Sequence, residues 1–337
     1  MKNQQRWNFG ALCPESYSLA QRGTEAWTMQ TECLVEGSER ATLDIRVRFL
    51  HLLTREVGVP NADCGLRVEG CGDGEIQASV TGSDFNVVPS LEVGGRVFQT
   101  WQEAVEREFR APGFDVETLK AQAQRLSFSF PPSRALETLR DEGGRVVGVI
   151  VRTQQSVGGA LELSAARAGG GLFKITARIL NTTPLEDAES EGRDDALMRS
   201  LVSTHTILKV GGGEFVSLLD PPEAFRDAAA GCGNTGTWPV MVGEEGERGV
   251  MLSSPIILYD YPQIAPESAG ELFDGTEIDE ILTLRIMTLT DEEKREMRGA
   301  GERARRILER TETLPAEQLM KMHGAMRGVP PRKEEEI

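Results

Sequence analysis

Leu43-Asp44-Ile45-Arg46-Val47-Arg48-Phe49-Leu50 alternates apolar and polar residues. A period of two is the mark of a half-buried strand, and here it predicts an inward face of Leu43, Ile45, Val47 and Phe49. Working outward, short strands are predicted over 65–68, 75–80 and 91–98, each bounded by Gly, Asp or Pro, with a two-residue hairpin turn at Val93-Gly94-Gly95-Arg96-Val97. Thr100 with Glu103 three residues later forms a capping box, which predicts a short helix over 101–109, and a second is predicted over 116–124. Further strands are expected over 126–130, 145–152, 160–166, 172–180, 201–210, 214–219 and 250–260. Gly169-Gly170-Gly171 and Gly211-Gly212-Gly213 are read as hairpin turns, because glycine adopts the positive φ that tight connections demand. Pro221-Pro222 opens a helix that ends near Gly231.

Beyond Phe273 the pattern changes. Asp274 with Glu277 and Thr290 with Glu293 form capping boxes, and Pro315 suits a first helical turn. The expected class is α+β: a β-rich body, sandwich-like or of mixed sheets, with a predominantly helical C-terminal tail. The expected divisions are an irregular N-terminal arm (1–38), a smaller β-rich α+β domain (39–124), a larger β-rich domain (125–273), a helical segment (274–327) and a frayed end (328–337). The six acids in 184–195 (Glu186, Asp187, Glu189, Glu191, Asp194, Asp195) mark a solvated loop.

A chain of 337 residues holds about two domains and buries a large core without staples. Acids exceed bases, 53 − 37 = 16, and a pI near 4.8 argues against nucleic acid, whose phosphates an acidic surface repels. The N-terminus has no secretory pattern, and no window reaches the roughly 20 apolar residues of a membrane span. Five cysteines, an odd number, suit a reducing compartment, so the chain is placed in the cytoplasm.

The common catalytic motifs are missing. Neither glycine run carries the Lys-Ser/Thr of a P-loop, and no Gly-x-Ser-x-Gly elbow occurs. Cys13, Cys33, Cys64 and Cys71 lack the close ligand pairs of structural zinc, so neither a metal nor a cofactor is expected. Three weak catalytic candidates stand out: His205 in Ser203-Thr204-His205-Thr206, Cys232 in the Gly- and Asn-rich segment 231–239, and Asp260 between Tyr259 and Tyr261. Met320, Met322 and Met326 on a C-terminal helix, with Trp238, are the partner-binding candidates, since flexible thioethers suit adaptable binding surfaces.

The stretch Ser253-Ser254-Pro255-Ile256-Ile257-Leu258-Tyr259-Asp260-Tyr261-Pro262-Gln263-Ile264-Ala265-Pro266-Glu267-Ser268, continuing from Leu272 to Leu284, resembles an uncharacterised bacterial family associated with operons of the oxygen-tolerant, actinobacterial-type nickel-iron uptake hydrogenases. The resemblance extends back through 201–223 and 235–239 and so covers most of residues 200–325; in the first half, 91–108 is the best-matching piece. The family has no established activity and supplies no catalytic residues. It implies an accessory or assembly protein that binds a hydrogenase subunit or a hydrogenase maturation protein. The alternatives are a cytoplasmic enzyme built around His205, Cys232 and Asp260, and an extra structural subunit of the hydrogenase complex.

Overall fold

One strand organises the fold. In the computed structural model, which describes residues 9–61, 85–263, 289–290 and the single positions 294, 295, 298, 305, 308, 309 and 312, β1 (Thr28–Pro60) runs for 33 residues. Its predicted inward face holds: Leu43, Ile45, Val47 and Phe49 are each at most 1% exposed. Partners line up along both of its sides. On one side lie β10 (Leu172–Asn181) against 28–36, β5 (Trp101–Asp115) against 42–55, and β2 (Phe85–Val88) against 57–60. On the other lie β11 (Val202–Val216) against 34–50 and β8 (Val146–Gln154) against 54–58.

Each flank then grows outward. β9 (Val157–Gly169) and β6 (Gln124–Phe130) extend from β10, β13 (Val250–Ser254) and β12 (Trp238–Met241) from β11, and β7 (Ser133–Arg140) from β8. All of these pairings are antiparallel, and together they make an 11-stranded sheet. The sheet curls over its apolar face, bringing Phe128 of β6 into a stack on Phe109 of β5 at 4.8 Å and within 6.1 Å of Phe49. A short helix, α2 (Val116–Ala121), packs Val116 and Leu119 into the same core. The Asp115 carboxylate caps it by accepting the Thr118 N–H.

The seam where β5 hands over to β2 is stitched by one side chain. The Thr100 hydroxyl accepts the Val57 N–H (2.9 Å) and donates to the Val88 carbonyl (2.8 Å). Close approach decides another position. A Cβ on Gly213 would stand 2.9 Å from the Glu36 carbonyl and 3.2 Å from a Val35 methyl, so only glycine fits there.

Residues 90–99 and 263–337 belong to a second unit. In it β3 (Ser90–Val93) and β4 (Arg96–Gln99) form the expected hairpin, with Gly94 and Gly95 both at positive φ as a two-residue turn requires. Arg298 reaches both carboxylate oxygens of Glu312.

Several expectations are corrected. The chain is not α+β: among the described residues thirteen strands stand against four bounded helices of five or six residues, namely α1 (Glu15–Ala20), α2, α3 (Arg193–Leu197) and α4 (Arg226–Ala230). No bounded helical tail stands among the described residues, although the single described positions 294, 295, 298, 305, 308, 309 and 312 are helical. Most of 274–327 lies outside the described residues, and among the described residues no bounded helix follows Ala230. The N-terminal arm is not irregular from 28 to 38, because those residues open β1; nor does 124/125 divide domains, since β1 pairs with strands from both sides of it. The helix expected over 101–109 is strand β5, because Thr100 spends its hydroxyl on the seam rather than on a cap. Gly211-Gly212-Gly213 lies within β11, and β2, β7 and β12 went unpredicted. The strands expected over 65–68 and 75–80 lie outside the described residues.

Candidate functional site

His205 sits on β11 opposite Arg48 of β1, half-buried on the face turned away from the core. Its Nδ1 lies 2.8 Å from the Ser203 carbonyl. A carbonyl only accepts, so Nδ1 carries the proton in this bond. Ser203 itself holds φ 51, a left-handed conformation uncommon for a residue with a Cβ.

Cys232 follows α4 and packs beside Leu34, Val216 and Ala229. Its thiol donates to the Ala228 carbonyl at 3.6 Å, and burial, then the nearby Glu32 carboxylate, push it up to about 11. The loop behind it is clamped to β1. The Glu32 carboxylate accepts the Gly233 N–H (2.7 Å), Lys174 Nζ (3.0 Å) and the Thr176 hydroxyl (3.1 Å), while Asn234 bonds the Glu32 backbone. Burial alone would raise the Glu32 carboxyl, but these donors hold it below the usual carboxylate range.

Asp260 has a turn-holding role. Its Oδ1 accepts the Met241 N–H at 2.8 Å and its Oδ2 accepts the Ser217 hydroxyl, tying the end of β12 to the segment after β11. The three catalytic candidates do not assemble. Cys232 packs against Val216, eleven residues along β11 from His205 and on the order of 30 Å away at strand rise. Trp238 opens β12 half-buried, with its indole N–H enclosed and without an acceptor among the described residues. Met320, Met322 and Met326 lie outside the described residues. Among the described residues no group of three or more His, Cys, Asp or Glu side chains could hold a metal ion.

The richest polar array was not foreseen. Past Phe49 the inward positions of β1 become His51, Leu53 and Arg55, facing Trp101, Glu103 and Arg107 of β5 and Arg152 and Gln154 of β8. Glu103 receives Arg55 Nη1 (3.2 Å), Trp101 Nε1 (3.1 Å) and Arg152 Nε (2.9 Å), and Arg152 also reaches Glu137 (2.9 Å). Burial alone would raise the Glu103 carboxyl, and these donors hold it below the usual range. Arg107 donates to Gln154 (2.8 Å) and lies over the Phe130 ring at 5.0 Å. His51 is fully buried; burial, then the Arg107 charge, lower it to about 4 against a smaller upward pull from the Gln155 backbone. Sequence reasoning missed this array because the capping box at Thr100 suggested a helix, and the Trp101-Glu103-Val105-Arg107-Phe109 alternation was the available signal.

The most exposed large apolar side chains described are Ile257 (82%) and Tyr259 (85%), in the segment after β13. A scan of the chain against known protein-family models matches none, and no curated protein shows significant similarity to it. Among the described residues no helix is long and apolar enough to cross a membrane.

Proposed function

We propose that this chain is a cytoplasmic accessory or assembly protein for a nickel-iron hydrogenase, acting by binding a hydrogenase subunit or a maturation protein. The observation that carries the reading is the exposure of Ile257 and Tyr259. They lie in the stretch Ser253–Ser268, which bears the family resemblance, and their rings and branches are turned to water where a core would claim them. Apolar side chains displayed in this way mark interaction surfaces. The separate, structural engagements of Cys232 and Asp260, and the distance of His205 from Cys232, count against an enzyme built on the three. Trp238 and the C-terminal Met320, Met322 and Met326 remain proposed contacts.

The test is genetic. Ile257→Ser with Tyr259→Ser, or deletion of 313–337, is expected to abolish hydrogen uptake in the host, whereas His205→Ala and Cys232→Ser leave it intact. The reverse pattern contradicts the accessory role and favours the enzyme.

A further inference from the structure

A cleft of about 520 Å³ opens on the face of β1 turned away from the core, beside the seam at Thr100. Successive residues of a strand point to opposite faces, so Thr54 and Glu56 of β1 and Gln102 of β5 turn toward it while Arg55, Trp101 and Glu103 turn the other way. The facing wall is α3, which packs Leu197 and Met198 on Leu52 and contributes Asp194 and Leu197 to the cleft. Val87, half exposed, and Pro89 close the third side.

The chemistry of this lining is lopsided. Among its described lining residues only Arg55 is cationic, and its guanidinium is engaged on the opposite face, bonded to Glu103 and stacked over Trp101 at 5.8 Å. Glu56 and Asp194 have no ion-pair partner among the described residues. Two uncompensated carboxylates thus share a concave space with an aliphatic wall of Val87, Pro89 and Leu197, at a volume typical of small-ligand sites. We propose that the cleft binds an organic cation, an ammonium or guanidinium group on an aliphatic stem. The carboxylates take the charged head, Gln102 and Thr54 border it, and the aliphatic wall covers the stem. This inference stands independently of the hydrogenase reading.

Isothermal titration of the full chain with n-butylguanidinium and n-pentylammonium tests it, with acetate as the control of opposite charge. Saturable binding of both cations is expected, weakened about tenfold or more by Glu56→Gln with Asp194→Asn, with an unchanged circular dichroism spectrum. No saturable heat in the millimolar range, equal binding by the double variant, or equal binding of acetate overturns the site. Agmatine and a blocked arginine amide separate the sources of the cation: tighter agmatine assigns a free amine, and tighter blocked arginine assigns a side chain of a polypeptide. Either ranking supports the cation site.

Discussion

Thr31 and Ser253 share a buried hydrogen bond of 2.5 Å between their hydroxyls, across 222 residues of sequence. Ser253 also bonds the Thr237 hydroxyl at 2.7 Å, so one small side chain joins β1, β13 and the residue before β12 inside the core. The stretch that carries the family resemblance is thereby anchored to the spine of the fold at its first residue. Ser253→Ala strands two buried hydroxyls and should cost about 1–3 kcal/mol. Thr31→Val leaves Ser253 bonded to Thr237 and should cost less. Urea unfolding of the two single variants and the double measures the coupling, and fully additive losses would refute it.

Phe49 is the centre of the aromatic cluster, 1% exposed and within 5.8 Å of Phe130 and 6.1 Å of Phe128. Phe49→Ala removes a ring from a packed core and should lower stability by about 3–5 kcal/mol. Chemical denaturation reads the change; a loss under about 1 kcal/mol would mean that the curled sheet is not packed as described.

Much of this core was legible in the sequence, because period-two alternation is a direct consequence of strand geometry. Leu43 to Phe49 followed from it, the Gly94-Gly95 turn from its paired glycines, and β6, β8, β9 and β10 lie where strands were expected. What was not legible depends on contacts distant in sequence. Thr100 and Glu103 read as a helix cap, yet their partners are Val57 and Val88 in one case and Arg55 and Arg152 in the other. Local propensity cannot reveal a hydroxyl claimed by a strand forty-three residues away. His205, Cys232 and Asp260 were singled out by residue type, and only the sheet register shows that His205 and Cys232 sit far apart along β11.

The buried His51 makes stability depend on pH. Its folded value, about 4, lies below the ordinary 6.5. Between these values the unfolded chain binds more protons, so stability is fully present above pH 6.5 and falls as pH drops toward 4. Because the ring fills a buried position of similar size, His51→Phe should cost less than about 1.5 kcal/mol at pH 7.5 and flatten the limb from 6.5 to 4. Thermal unfolding across that range checks it, and an unaltered limb would assign the acid sensitivity elsewhere.

The Cys232 thiol, pushed up to about 11 by burial, should be a poor nucleophile at neutral pH. Iodoacetamide labelling resolved by peptide mass should show Cys232 modified more slowly than free cysteine at pH 8, accelerating as pH approaches 11. Fast labelling at pH 7 would instead mark an activated thiol and revive the enzyme reading.

The accessory role is tested most directly by tagging the full chain in its native host under hydrogenase-inducing conditions and weighing what is recovered with it by mass spectrometry. The account predicts a hydrogenase subunit or a maturation protein, lost with Ile257→Ser and Tyr259→Ser; a substoichiometric ratio indicates an assembly factor and a stoichiometric one an added subunit. Recovery of the chain with neither would contradict the proposed function.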